Sequence, residues 1–329
     1  MHSSTFNSEP QNSVLPDPEG LPGTEPPSKT VVRRAIIALV VALVTVMGMA
    51  EGAARVLFPH FSHIQHRIVK DRTDVRTLGT PVPDGPATLL LVGNSLLLNA
   101  LDYPRLAATL SPDIRPIRYV IENTNYLDWY YGLNRLFSEG VRPSRVALCL
   151  NLGQILERGI LGDYSARHLF LARDLLPVAR AARLDNTQTS GLFFAHWSAF
   201  YADRATIRNY ILNVSDPDYA KVMNALARVP PDFPPDHEAL EESRQRVRAI
   251  MQLCRAYNVD FVLVIPPSLK RHDELLAQAA ALENVAVDTP LPLGSLGPEF
   301  FRDRFHLNEK GAALFTDALA RDLQGLGHR

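Results

Sequence analysis

Three side chains that could together carry out acyl transfer lie in two short segments of the sequence. Ser95 follows an apolar run within Gly93-Asn94-Ser95-Leu96, and His306 comes three residues after Asp303. A serine hydroxyl is a weak nucleophile unless an imidazole accepts its proton, and that imidazole needs an acceptor on its other nitrogen. Because the loop around Asp303 is turn-like, its carboxylate can reach His306 locally. These residues therefore predict a nucleophile, Ser95, a general base, His306, and an orienting acid, Asp303.

Each of these residues also has a purely structural explanation. Ser95 could cap a helix, since serine at a strand-to-helix turn often does so. His306 and Asp303 could be exposed loop residues, the latter paired with a neighbouring arginine. The catalytic interpretation depends on the two segments meeting in the folded chain.

Alternating strand and helix patterns indicate how they could meet. Apolar runs predict parallel strands at 88–92, 117–121, 146–150 and 261–265, with a fifth at 285–287. Helical patterns follow at 96–110, 126–139, 241–257 and 308–323. This alternation predicts a doubly wound α/β sheet, interrupted by a helical insertion at about 155–236. Reactive groups in such sheets gather at the carboxyl ends of the strands, where Ser95 lies.

The segments GNSL (93–96) and DRFHLN (303–308) resemble the first and last motif blocks of the SGNH/GDSL hydrolase superfamily. The resemblance covers about 87–325 and is sharp only at its two ends. It implies a flavodoxin-like three-layer α/β/α sandwich with a central parallel sheet of about five strands. It also implies that Ser95 is acylated, that His306 is the base and that Asp303 orients it, with no cofactor and no metal.

The resemblance further implies an oxyanion hole, where this sequence departs from the family pattern. The family uses a glycine N–H after the second strand, but residues 122–126 contain no glycine, so the N–H of Thr124 or Asn125 is expected there. The family also uses an asparagine side chain after the third strand, for which Asn151 is the first choice and Gln154 the second. Asn94 replaces the usual aspartate beside the nucleophile, but that residue is not the triad acid.

The N-terminal part predicts a membrane anchor. Residues 1–30 contain six prolines and few large apolar side chains, which predicts a disordered tail. An uncharged run at 35–50 forms the centre of a transmembrane signal anchor at 31–58, with a stalk at 59–86 before the domain at 87–329. The basic residues Lys29, Arg33 and Arg34 place the tail in the cytoplasm and the body outside it. A cleaved signal peptide remains the alternative, because 48–50 resembles a cleavage site.

These features together predict an extracytoplasmic, periplasmic serine esterase or O-acyltransferase. The expected substrate is an acyl ester, with acetyl favoured, of a cell-envelope carbohydrate, and either water or a sugar hydroxyl could accept the acyl group. A formal net charge of −1 argues against nucleic-acid binding. Two alternatives stay open, a lipolytic esterase acting on lipid esters and a catalytically inactive module that binds polysaccharide.

Overall fold

The computed structural model of this chain describes residues 28–79, 85–216, 218, 234–269, 273–303 and 305–326. Its internal contacts divide it into two units, Met1–Met49 and Ala50–Arg329. The tail predicted at 1–30 lies outside the described residues except for its last three.

The described part of the first unit belongs to one long apolar helix. Helix α1, Lys29–Val56, has 28 residues and contains an 18-residue window of mean hydropathy 2.2, none of which is buried. At ~1.5 Å per residue, α1 is longer than the ~30 Å hydrocarbon core of a bilayer. By length and composition it can cross a membrane, although a signal sequence would satisfy the same test. The end of α1, from Ala50 onward, belongs to the second unit.

Five parallel strands form the sheet of the second unit, in the order β2-β1-β3-β4-β5. They are β1 Ala87–Gly93, β2 Ile114–Val120, β3 Arg145–Cys149, β4 Asp260–Val264 and β5 Ala286–Asp288. The central strands are covered on both faces, which explains their nearly continuous apolar sequences. This strand order is that of flavodoxin-like sheets, so the predicted fold class is confirmed.

Helices cover both faces of the sheet. One face carries α4 Ser95–Ala100, α5 Tyr103–Leu110 and α14 Glu309–Leu326, packed through buried side chains such as Leu97, Leu106 and Phe315. The other face carries α3 His63–Val75, α6 Tyr126–Ser138, α12 Asp236–Ala256 and α13 Glu274–Leu282. The two hydrophobic clusters give the three-layer sandwich.

The segment predicted as a stalk, 59–86, is not a free spacer where it is described. A short helix, α2 Phe58–Phe61, leads into α3, whose Ile68 and Val75 are fully buried against the sheet. These side chains lie seven positions apart and therefore share one face of the helix. The structure thus corrects the predicted stalk, because α3 belongs to the core of the body.

The described part of the predicted insertion, 155–236, is helical. It follows α7, Leu152–Leu156, and contains α8 Ser165–His168, α9 Leu175–Ala181, α10 Asn186–Trp197 and α11 Ala199–Ser215. Buried residues such as Phe170, Leu175 and Leu192 join these helices to the core on the α6 side of the sheet. Residue 217 and residues 219–233 of this segment lie outside the described part.

Candidate active site

Ser95 lies at the carboxyl end of the interior strand β1, as the first residue of α4. The residue that caps α4 is Asn94, whose side-chain oxygen accepts the N–H of Leu96 at 3.0 Å. Because Asn94 supplies the cap, capping does not account for the serine. Gly93 is required here, since a Cβ at this position would lie 2.7 Å from the carbonyl oxygen of Cys149. The turn therefore presents the Ser95 hydroxyl at the rim of the sheet.

The imidazole of His306 bridges Ser95 and Asp303. His306 Nε2 lies 3.0 Å from Ser95 Oγ, and His306 Nδ1 lies 2.8 Å from Asp303 Oδ2. Both are hydrogen-bond distances, and the first joins side chains 211 positions apart in the chain. The two segments singled out in the sequence thus meet at one edge of the sheet.

Asp303 is held in place as an ionised acceptor. Its Oδ1 accepts the backbone N–H groups of Phe305 and His306, both at 2.8 Å. Partial burial raises the pKa of this carboxyl, but hydrogen bonds from His306 and Phe305 outweigh burial and hold the pKa below its ordinary value. Because an ionised carboxylate can only accept, His306 carries its proton on Nδ1. Nε2 is then unprotonated and faces the Ser95 hydroxyl.

The loop that carries His306 is fixed on both sides. Phe301 and Leu307 form an antiparallel bridge, and the N–H of Arg302 donates to the carbonyl of His306 at 2.8 Å. After the histidine, the Asn308 side chain accepts the N–H groups of Lys310 and Gly311, both at 3.1 Å, and so caps α14. The base is therefore positioned by a short bridge and a capped, core-packed helix.

Asn151 and Gln154 form the start of α7, directly after β3. Asn151 Oδ1 accepts the N–H of Gln154 at 2.9 Å, and Gln154 Oε1 accepts the N–H of Asn151 at 3.1 Å, which is a capping box. Both side-chain oxygens are thus used in the cap. The amide nitrogen of Asn151 makes no hydrogen bond to the part of the chain that the structure describes. Asn151 lies closer than Gln154 to the end of β3 along the chain, so its amide nitrogen is the first candidate for a donor to the substrate.

Asn125 does not fit the donor role expected from the sequence. Its N–H donates to Asp128 Oδ2 at 2.8 Å, and its side-chain amide donates to the carbonyl of Gly159 at 2.5 Å. Its side-chain oxygen caps α6 by accepting the N–H of Leu127 at 3.0 Å. Asn125 is completely buried, its backbone N–H is used by Asp128, and its amide group is used by Gly159. The expected role of the Asn125 N–H is therefore corrected, and of the two residues expected after β2 only Thr124 stays a candidate.

The loop after β2 is shaped by contacts that could not be predicted from the sequence. Asn123 has a φ of 53°, in the left-handed region that asparagine tolerates better than most residues. The Asn94 amide donates to the carbonyl of Thr124 at 2.8 Å and ties this loop to the nucleophile turn. Arg67 of α3 donates to the carbonyl of Val120 and, at 2.5 Å, to the carboxylate of Glu122. Helix α3, which lies in the segment predicted as a stalk, therefore helps to position the loop after β2.

No protein-family model matches this sequence, and no curated protein matches it. Solved structures do resemble the model, at low identity. A psychrotrophic esterase from Pseudoalteromonas sp. is 13% identical, with 74% of this chain and 99% of that chain covered and a TM-score of 0.40. A G-D-S-L family protein from Desulfitobacterium hafniense, named as lipolytic, is 12% identical over 71% of this chain and 98% of that one, with a TM-score of 0.34.

A carbohydrate esterase structure is 10% identical over 74% of this chain and 70% of that chain, with a TM-score of 0.33. Because these TM-scores are low, the fold assignment rests on the strand order itself, and the description of the site rests on its measured distances. The structure is a five-stranded parallel α/β sandwich in which Ser95, His306 and Asp303 are hydrogen-bonded in series at the carboxyl edge.

Proposed function

We propose that this chain is a serine esterase or O-acyltransferase of the SGNH/GDSL type. The observation that carries the proposal is the series of hydrogen bonds from Ser95 through His306 to Asp303. It supplies a nucleophile, a base in the required tautomer and an ionised group that stabilises the imidazolium. The residues that meet these three requirements come from two separate parts of the fold, the end of β1 and the loop before α14.

In the proposed reaction, Ser95 Oγ attacks the acyl carbon while His306 Nε2 takes the hydroxyl proton. The carbonyl oxygen of the ester becomes an oxyanion, which the Ser95 N–H, the Thr124 N–H and the Asn151 amide would bind. When the intermediate collapses, the bond to the alcohol breaks and the alcohol leaves with the proton from His306. Water or a sugar hydroxyl then gives its proton to His306 and attacks the acyl-serine. The acyl group is released on that acceptor, and the proton returns to Ser95.

The proposed substrate is an acyl ester, with acetyl favoured, of an extracytoplasmic cell-envelope carbohydrate. Two observations support this choice. Helix α1 can span a membrane, and its basic N-terminal residues would keep that end in the cytoplasm and the body on the other side. The rim beside the base is open, because Phe305 is 63% exposed and offers an aromatic face to a sugar ring. An open aromatic rim suits a polymer better than a closed pocket does.

A fluorophosphonate that reacts with activated serines tests the enzyme class directly on the full-length protein in detergent. We expect the wild type to be labelled and both Ser95→Ala and His306→Ala to lose the label. Ser190→Ala is the matched control, because Ser190 is exposed on α10 and bonds only the carbonyl of Asn186. Equal labelling of Ser95→Ala and wild type would refute the assignment.

A second experiment addresses the substrate. Turnover is measured on chromogenic esters of increasing acyl length and on O-acetylated polysaccharide, with a free sugar polymer present or absent as acceptor. The proposal expects the highest turnover on acetyl esters. A preference that rises with chain length would instead identify a lipolytic enzyme.

A further inference from the structure

The end of α1 holds the corner between α10 and α11. Glu51 accepts the Ser198 hydroxyl at 2.7 Å and the N–H groups of Ala199 and Phe200 at 2.9 and 3.1 Å. Arg55 donates to the carbonyl of Trp197 at 2.9 Å and pairs with Glu51 at 2.5 Å. These contacts all lie within the second unit. They fix residues 197–200 to the segment that directly follows the apolar run 35–50.

The outer surface of this corner is aromatic. Phe194, Trp197 and Phe200 are 61%, 65% and 43% exposed, so each leaves a large apolar area outside the core. We call these three residues the aromatic corner. Adjacent exposed aromatic side chains on a soluble surface are costly and commonly mark an interaction site.

Helix α11 extends the same apolar surface. At about 100° per residue, Phe200, Ile211 and Val214 lie within about 60° of one another around the helix axis. Ile211 and Val214 are 56% and 70% exposed. The α10–α11 segment therefore presents an apolar stripe that begins at the aromatic corner.

The charge of this segment fits a lipid surface better than a basic protein partner. Residues 186–215 contain one acidic residue, Asp203, which is 4% exposed and accepts a hydrogen bond from Gln65 at 2.6 Å. The same residues contain two arginines, of which Arg204 pairs with Asp163 at 3.2 Å and Arg208 lies one turn further along α11. A surface on which the charges of residues 186–215 are mainly basic is compatible with anionic head groups.

The position of the anchor indicates at which depth of the bilayer the aromatic corner lies. If α1 spans the bilayer with its apolar run, Glu51 and Arg55 lie at the boundary between hydrocarbon and head groups. Because they hold residues 197–200, the aromatic corner lies at that boundary as well. Tryptophan and other amphipathic aromatic side chains are enriched at this depth.

We propose that the aromatic corner is a second membrane-contact site, which inserts Phe194, Trp197 and Phe200 into the lipid interface beside the anchor. This inference rests on the proposed membrane anchoring and is independent of the proposed ester chemistry.

Tryptophan quenching by brominated phospholipids tests this contact in the full-length chain. The chain has two tryptophans, and Trp129 is completely buried while Trp197 is exposed. The protein is reconstituted into phosphatidylcholine–phosphatidylglycerol vesicles with and without brominated phosphatidylcholine, and vesicle flotation reports anchoring. We expect brominated lipid to quench wild-type emission and the quenching to be lost in Trp197→Phe. Trp129 serves as the internal reference for folding.

A matched control places an exposed tryptophan elsewhere. Leu282→Trp combined with Trp197→Phe moves the reporter to α13, at a residue that is 51% exposed. Quenching of this control to the wild-type extent, or undiminished quenching in Trp197→Phe, would overturn the proposal. If the protein does not float with the vesicles, the proposed anchor is wrong and the proposal fails with it. Phosphonate labelling of Ser95 in the same samples shows separately whether the ester chemistry holds.

Discussion

Replacing Asp303 by asparagine isolates the electrostatic role of this carboxylate from its structural one. Asparagine keeps the side-chain oxygen that accepts the N–H groups of Phe305 and His306. It places an amide where Asp303 Oδ2 now accepts the proton of His306 Nδ1 at 2.8 Å. An amide N–H facing Nδ1 favours the tautomer that carries its proton on Nε2. That tautomer cannot take the proton of Ser95.

The size of the loss follows from how exposed the pair is. In a serine protease triad with a buried aspartate, the same substitution lowers kcat by about 10⁴-fold through the wrong tautomer. Here the Asp303 side chain is 45% exposed and the His306 side chain 22% exposed, so water can partly replace the carboxylate. We therefore expect a loss in kcat of about 10³-fold, with little change in KM.

The assay is steady-state hydrolysis of a short-chain chromogenic ester by the full-length protein in detergent. Asp317→Asn is the control, because Asp317 lies on α14 in an exposed ion pair with Arg105 and does not contact the site. Thermal unfolding checks that Asp303→Asn remains folded. A loss below about 10-fold in a folded variant would refute the role assigned to Asp303.

Three further predictions follow from the same structure. Asn151→Ala should lower kcat by about 10²–10³-fold with little change in KM, as expected for a lost oxyanion donor; an unchanged kcat would remove Asn151 from the mechanism. Gly93→Ala should lower the free energy of unfolding by about 1–3 kcal/mol, because the added Cβ would lie 2.7 Å from the carbonyl of Cys149; an unchanged denaturation midpoint would show that the strand end can move. Burial raises the pKa of Asp128 from 3.8 to about 7, so the folded chain holds a proton there that the unfolded chain releases, and its contribution to stability falls as pH rises from about 4 to 7. Asp128→Asn should flatten that part of the pH dependence in denaturant titrations, and an unaltered slope would contradict the assignment.

Much of the fold could be predicted because its signals are local. Apolar runs marked all five strands, and strand–helix alternation implied their parallel order. The predicted second strand, 117–121, begins three residues after the start of β2, which includes Pro116. In the structure β2 is an edge strand, where a residue without an N–H is tolerated.

The errors concern contacts between distant segments. The sequence of α3 is polar and follows the predicted anchor, so it indicated a stalk. In the structure, Ile68 and Val75 share a buried face of this helix. The sequence does not show that Glu51 binds the start of α11, 148 positions away at Ala199. Nor could it show that the donors of Asn125 are used by Asp128 and Gly159. Such pairings depend on tertiary packing and have no local pattern.

Four asparagines at the carboxyl edge of the sheet use their side chains in a similar way. Each follows a strand or loop and caps the next helix through its side-chain oxygen: Asn94, Asn125, Asn151 and Asn308. Three of them also use the amide nitrogen to join neighbouring loops, by donating to the carbonyls of Thr124, Gly159 and Glu299.

This dual use explains the asparagine beside the nucleophile. An aspartate at position 94 could cap α4 but could not donate to Thr124, so the loop after β2 would lose its tie to the serine turn. The amide of Asn151 is the exception among the four, since it has no acceptor within the described chain. A side chain that is rigidly held by its oxygen, with its donor unused, meets the requirement for binding a developing negative charge without reorganisation.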